Sequence, residues 1–507
     1  MYSKLATTFF DKFIIVGEVF MKRMEFWFLI GSQSLYGPSV LEIVETRARE
    51  MAEQLSKVLP YPLVYKVTAK TNKEITEVIK EANYDDSCAG IVTWCHTFSP
   101  SKMWINGFAN LQKPFCHLAT QYHKEIPSDI DMDFMNLNQA AHGDREHGFI
   151  ATRMRMPRKV IAGHWTDEKV HKRLGDWMKV AIGVAVSRSM KVMRFGDNMR
   201  EVAVTEGDKV ETQAKLGWQV NTWAVGDLVA VMNEVTDAEI DAQIEVYTSK
   251  YDYSPEDLPS IRYQAREEIA IRRMLDSEDC KAFSNTFQDL YGMEQLPGLA
   301  SQHLMSLGYG YGGEGDWKVA AMTSIIKAMG DGGNGASSFM EDYTYHLTED
   351  GEYSLGAHML EVCPSLAGTK PRIEVHHLGI GMNEKDPARL VFDGKEGDAI
   401  AVSLIDMGGR LRLVCQDIHC VKPVIDMPDL PVARVMWKAE PSLSEGLECW
   451  ILAGGAHHTV LSYDVSAEQM RDWARIVGIE FVHISKDTTV ESLERELMIN
   501  DLIWKLK

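Results

Sequence analysis

Two histidines, His457 and His458, stand side by side in LAGGAHHTVLS, behind a flexible Gly-Gly pair. In an extended segment adjacent side chains point to opposite faces, so the two rings are expected to do different jobs, one meeting a metal and the other a substrate. Acids recur upstream. GYGYGGEGDWK holds Glu314 and Asp316 among glycines that let the backbone place two carboxylates in a crowded cleft. A phosphate-loop reading fails on charge, because both acids would stand where a pyrophosphate needs amide donors and a positive helix end. The same stretch reads equally as a structural turn with a helix cap.

SSFMEDYTYHL supplies Glu341 and Asp342. Strand alternation sends Phe339, Glu341 and Tyr343 to one face, where an acid between aromatic rings is costly unless it is paired or metal-bound. The bland alternative is a salt-bridged edge strand. LGAHMLEVCP carries His358, which alone reads as a hydrogen-bonded core histidine and gains interest only in company. His376 and His377 in IEVHHLGIG take the structural reading. In GSQSLYGPS, Gln33 and Tyr36 can hydrogen-bond hydroxyls or brace the turn, and NLNQAAHGDREHGF sets Gln139 and His142 three apart, on one face if helical.

These residues need elements to hold them. From Met24, strand-like MEFWFLIG, LVYKVTA, AGIVTW and KPFCHLA alternate with amphipathic helical stretches, the grammar of a parallel, doubly wound sheet. GSQSLYGPS then falls at the carboxyl end of the first strand, where such sheets bind ligands. MKVMRFG opens a second α/β domain. After the breaker-rich GDGGNGASS the grammar changes to short β-rich segments, including ARLVFDG, AIAVSLIDMGGRLRLVCQDI and ECWILAGG, which fit an antiparallel barrel or sandwich. The expected division is an extension over 1–23, an α/β domain over 24–188, a second over 189–334 and a β-rich domain over 335–507.

At 507 residues the chain exceeds one hydrophobic core, and 25% charged with 45% apolar residues is ordinary globular usage. A formal charge of -20 without a basic run argues against nucleic acid and anionic membranes, and no stretch approaches a membrane span. The eight cysteines are scattered without C-x-x-C spacing, so free thiols in a reducing cytoplasm are expected. The opening MYSKLATTFFDKFIIVGEVFMKR is interrupted by Asp11 and Glu18 and lacks a cleavage site, which argues against export; Met21 and Met24 suggest an extension or a later start.

Taken in order from Met24 to the tail, GSQSLYG, NLNQAAHGDREHGFI, GYGYGGEGDWK, SFMEDYTYHL, GAHMLEVCPS, HHLGIG and LAGGAHHT closely resemble the L-arabinose isomerase family. The resemblance implies two Rossmann-like α/β domains and a C-terminal antiparallel barrel-like domain, in a fucose isomerase-like architecture. It implies one divalent ion per subunit, usually Mn2+ with Co2+ or Mg2+ as substitutes, held by Glu314, Glu341, His358 and His458. His457, Asp316 and Phe339 are then substrate residues. Gln33, Leu35, Tyr36, Gln139 and His142 are expected to reach the sugar from a neighbouring subunit, in a hexamer of two trimers.

The implied reaction interconverts L-arabinose and L-ribulose in arabinose catabolism, with D-galactose to D-tagatose as side chemistry. The C–H bond beside a hydroxy-aldehyde is a poor acid, so an enediol route needs charge stabilisation by the ion and proton transfer by Glu314 and Glu341. Two alternatives stand beside this reading. One is an isomerase of another aldose such as L-fucose; the other is a sugar-binding protein, which would have no need of four converging metal ligands.

Overall fold

The structure, a computed structural model, describes residues 24–330, 335–380 and 385–506. The extension expected over 1–23 lies outside the described residues, as do 331–334 of the breaker-rich link. The described chain packs as two compact units, 24–185 and 186–506.

The first unit is built on a parallel sheet of β1 (Glu25–Gly31), β2 (Leu63–Ala69), β3 (Cys88–Cys95), β4 (Phe115–Ala119) and β5 (Lys159–Ala162), in the order β2-β1-β3-β4-β5. Inner strands of a covered parallel sheet are buried on both faces and therefore read as continuous apolar runs, as FWFLIG in β1 does. Helices α1 (Gly37–Ser56) and α2 (Asn72–Tyr84) follow the expected periodicity. α2 starts where Thr71 and Glu74 form a reciprocal capping box, and it buries Ile75, Val78, Ile79 and Ala82 along one stripe. The strand order reverses between β1 and β3, which opens a crevice at their carboxyl ends.

The second unit begins with a parallel sheet of β6 (Lys191–Phe195), β7 (Gln219–Trp223), β8 (Ala282–Asn285) and β9 (Gly310–Gly312), ordered β7-β6-β8-β9. Its remaining strands are β10 (Ser337–Thr348), β11 (Gly351–Ala357), β12 (Arg372–Val375), β13 (Ala388–Val391), β14 (Gly397–Asp406), β15 (Leu411–Val421), β16 (Arg434–Ala439), β17 (His458–Ser462) and β18 (Glu480–Ile484). Six of them close a ring, β14-β17-β10-β11-β16-β15 and back to β14, with every pair antiparallel. β18 joins β15 in parallel, and β12 pairs with β13 as a separate ribbon. Of the two expected architectures, barrel and sandwich, the ring is a barrel.

One expected β segment is a helix. ECWILA lies within α3 (Leu443–Ala453), because Ser442 caps its start by accepting from the Glu445 amide and Gly454, at φ 79°, ends it in the left-handed region. Buried Leu443, Gly446, Cys449, Trp450 and Ala453 recur at helical spacing, so the apolar run serves a helix face. The alternation expected in β10 also breaks. Asp342 faces Gly356 and Thr344 faces Leu355, which leaves Tyr343 as the extra residue of a bulge, 56% exposed, its hydroxyl pKa raised by partial burial and by the charges of Glu341 and Glu314.

Candidate active site

Strand register assembles most of the site. In the ring, Glu341 of β10 pairs with His458 of β17 on one side and with Ala357 of β11 on the other, so His358, the next residue, emerges beside them. Phe339 lies fully buried, its ring centroid 4.9 Å from His358 and 5.1 Å from His458, and serves as the floor on which both imidazoles rest. Glu314 arrives separately, on the turn after β9 at the carboxyl edge of the second sheet.

Five side chains, the four expected ligands and His457, converge as two overlapping groups that share His458. Ligand atoms of Glu314, His358 and His458 lie within 4.8 Å of one another, and so do those of Glu341, His457 and His458. Glu314 Oε2 is 3.7 Å from Nε2 of both His457 and His458, and Glu341 Oε2 is 3.9 Å from His358 Nε2. The adjacent histidines are therefore not split between faces as strand alternation predicts. β17 begins only at His458, so His457 sits in the preceding loop, and the two ring centroids are 4.3 Å apart. Exposure separates them instead: the side chain of His458 is fully buried and that of His457 is 37% exposed, which puts His457 on the open rim.

The donor set fits a divalent cation of hard or borderline character. His358 Nδ1 is hydrogen-bonded to Glu361, and His458 Nδ1 lies 3.3 Å from Asp316 Oδ2. A carboxylate on Nδ1 fixes the tautomer that leaves the Nε2 lone pair facing the cluster. That Nε2 of His458 is buried and has no hydrogen-bond partner among the described residues. Two carboxylates and two imidazoles without a thiolate suit Mn2+, Co2+ or Mg2+ better than a thiophilic ion, and all eight cysteines are buried outside the cluster.

Charge in the cluster is finely opposed. Burial pushes the Glu314 carboxyl up, but the His457 hydrogen bond and the neighbouring His458 and His358 outweigh it and hold the group below its ordinary value. His457 is raised by its bond to Glu314. Burial would lower His358, yet Glu361 and then Glu341 and Glu314 raise it to about 9. A cation entering this site must therefore displace a proton.

Asp316 is 2% exposed and wholly engaged. Its Oδ1 accepts from the Lys318 and Val319 amides at 3.1 and 3.3 Å, capping the helix Trp317–Met329, and Lys318 Nζ lies 3.2 Å away. Lys318 and the His458 contact together hold its charge below the ordinary value despite burial. The two readings of GYGYGGEGDWK are thus both met, a turn with a cap and a carboxylate turned toward the cluster.

Glu361 and Lys318 were not among the expected residues. For Glu361 the signal was there in HMLE, an acid three positions after a histidine. Glu361 is anchored in turn by the Tyr311 hydroxyl at 3.1 Å. His376 and His377 meet Glu374 at 2.6 Å and Asp386 at 3.0 Å, outside the cluster, consistent with their structural reading.

Gln33, Leu35, Tyr36, Gln139 and His142 belong to the first unit, gathered at the carboxyl ends of β1 and β3. Gln33 follows β1, and Tyr36 ends a short 3-10 turn with its hydroxyl 3.4 Å from Gln139 Oε1. Gln139 caps the helix Ala140–Arg153, its amide donating to the His96 carbonyl at 3.0 Å, and His142 sits in the first turn with its ring against Phe98. Leu35 is 83% exposed.

Three family descriptions match in sequence order: the L-arabinose isomerase N-terminal domain over residues 20–189, the central domain over 191–332 and the C-terminal domain over 336–480. The L-arabinose isomerase of Geobacillus stearothermophilus is 53% identical over 494 residues, covering 96% of this chain and 99% of that protein. Those of Clostridium beijerinckii and Thermotoga petrophila are 53% and 52% identical, each over 96% of this chain and 99% of the relative. Matched over residues 20–480 by the family's three domains and over 96% of its length by relatives at this identity, the chain belongs to the L-arabinose isomerase family.

Proposed function

We propose that the protein interconverts L-arabinose and L-ribulose in a metal-dependent reaction of arabinose catabolism, and D-galactose and D-tagatose as side chemistry. The observation that carries the metal dependence is the buried, unpartnered Nε2 of His458 facing Glu314, with each imidazole tied at Nδ1 by a carboxylate. Glu314, Glu341, His358 and His458 would hold one Mn2+, or Co2+ or Mg2+ in its place. When bound, the cation supplies Lewis-acid polarisation of the sugar oxygens O1 and O2.

The chain's own groups move the protons. One of the carboxylates of Glu314 and Glu341 takes the C2 proton as the C1–C2 double bond of the enediol forms, while the other, in its protonated form, gives a proton to O1. The second then takes the O2 proton as the first returns its proton to C1, giving the ketose with both groups restored. His457, on the open rim, is suited to orient a sugar hydroxyl. Asp316 and Phe339 act on the sugar through the histidines that they support.

Gln33, Leu35, Tyr36, Gln139 and His142 would complete the site from a neighbouring subunit in a hexamer of two trimers, supported by the exposure of Leu35 and His142. Two parallel α/β sheets followed by a closed barrel support a fucose isomerase-like architecture divided near residues 188 and 334, and reduced, buried cysteines support a cytoplasmic setting. No helix of the described residues is long and apolar enough to cross a membrane, and the charge of -20 disfavours nucleic acid as a partner. The test is ketose formation from L-arabinose by chelator-stripped protein, before and after Mn2+ is added. Restored turnover supports the reading, and equal turnover by stripped and loaded protein defeats it.

A further inference from the structure

Glu314 adopts φ 58°, the left-handed region that a non-glycine residue rarely occupies unless its surroundings enforce it. The enforcement comes from the segment after β6. The Met199 amide donates to the Glu314 carbonyl at 2.9 Å, and the Gly315 amide donates to the Asn285 carbonyl at 2.9 Å. Asn198 Nδ2 donates to the Gly315 carbonyl at 3.3 Å and to the Thr205 carbonyl at 2.6 Å. Gly315, itself at φ 79°, could carry no side chain here, since a Cβ would lie 2.5 Å from the Asn198 Cα and the Asp197 carbonyl oxygen. The peptide that follows Glu314 and the one that follows Gly315 are therefore pinned from outside the turn.

The orientation of the Asn198 amide is dictated, not free. Arg194, 5% exposed, donates from Nη1 to Asn198 Oδ1 while its Nε and Nη2 bind Thr222 Oγ1 at 3.1 and 3.0 Å. A guanidinium can only donate, so the Asn198 oxygen must face Arg194 and the NH2 must face the two carbonyls. Lys318 closes the other end of the same segment, its buried Nζ donating to the carbonyls of Val204, Thr205 and Glu206 at 3.0, 2.8 and 2.7 Å.

We infer that Asn198 is a positioning residue: by clamping the Gly315 carbonyl it holds Glu314 in the left-handed conformation that aims its carboxylate into the cluster. The inference rests on the metal reading above for its consequence, but the clamp itself is independent of any ion. Asn198→Asp keeps the size and the contact with Arg194 and loses the N–H donor; Asn198→Ala loses both.

The experiment is amide hydrogen exchange on the metal-free protein, followed by calorimetric titration with MnCl2, for the unaltered chain and both variants. In the unaltered chain the Met199 and Gly315 amides should exchange as slowly as those of β8, and about tenfold or more faster in either variant. Mn2+ affinity should fall about tenfold in the variants while the metal-free melting temperature stays near that of the parent. Rapid exchange of the two amides in the unaltered chain overturns the clamp without recourse to any variant. A folded variant with unchanged exchange, or with unchanged Mn2+ affinity where the unaltered chain binds the ion, also overturns it, whereas failure of the unaltered chain to bind Mn2+ removes the metal reading alone and leaves the clamp to be decided by exchange.

Discussion

His358 Nδ1 is hydrogen-bonded to the Glu361 carboxylate, and Glu361 also accepts from the Leu360 amide at 3.0 Å and the Tyr311 hydroxyl at 3.1 Å. A group so anchored fixes the ring that it holds. Glu361→Gln keeps the shape and removes the charge, and is expected to weaken Mn2+ binding roughly 10- to 100-fold. Titration calorimetry on the metal-free protein measures this; an unchanged affinity would mean that Phe339 packing alone orients His358.

Glu314 separates chemistry from folding. It lies on a turn held by backbone hydrogen bonds, so Glu314→Gln should leave the metal-free melt near its parent value. Turnover of L-arabinose is expected to fall on the order of 10²- to 10⁴-fold, the scale of a lost acid/base group. The stabilisation that added Mn2+ gives the parent, about 2.7 kcal/mol at a hundredfold excess over Kd, should shrink with it. Near-normal turnover in this variant would remove Glu314 from the active site.

The first unit carries a pH dependence of its own. Burial, then His117 and Arg158, drive the His147 pKa well below its ordinary value, and burial with Arg47 takes His96 to about 3. His147 packs its ring 4.8 Å from Trp104 and shares the Thr93 hydroxyl with His117. Both groups stay neutral when folded but take up a proton when unfolded below about pH 6.5, so their contribution is complete above that pH and is lost as pH falls toward the folded values. Burial raises Asp342 to about 7 and Glu267 well above its ordinary value, and both act with the opposite sign over this window, so the measure is a difference: in denaturant titrations of the metal-free proteins between pH 6.5 and 5, the parent should lose up to about 1.4 kcal/mol per pH unit relative to a chain lacking His147. His147→Gln should flatten that slope; an identical slope in the variant would assign the dependence elsewhere. His358, raised to about 9, works in the opposite sense, contributing fully below about 6.5 and losing its contribution as pH rises through 9, so it does not confuse this window.

A site shared between subunits can be tested by mixing. Glu314→Gln disables the ligand cluster, and His142→Ala disables only the crevice of the first unit. Coexpression of the two inactive chains should recover part of the parental activity, because some sites then receive an intact cluster from one chain and an intact His142 from another. Activity no higher than that of either variant alone would place both contributions in one subunit.

How far the sequence carries depends on whether the governing contacts are local. The parallel strands of the first unit were legible because buried inner strands write themselves as apolar runs, and α2 was legible because its cap and its stripe agree. ECWILA misled because a short apolar run looks alike in a strand and a helix; only Ser442 before it and Gly454 after it decide. Glu314, Glu341, His358 and His458 could be picked out by type, but their convergence depends on the pairing of β17, β10 and β11, a long-range register that no window reveals. Asn198 and Lys318 were invisible for the same reason. Each is an ordinary polar residue in sequence, given its role by carbonyls far along or outside its own element.

The closed ring has one further consequence, for which parts of this chain tolerate change in length. An open sheet can absorb an inserted residue by letting an edge strand slide, but β10 is bonded on both sides within a circle. A residue inserted between Ser337 and Glu341 would invert the facing of every side chain after it, turning the Glu341 carboxylate away from His358 and His458. Hairpin tips such as Met407–Arg410 carry no such penalty, so natural or engineered length variation should collect at the tips and spare the staves of the ring.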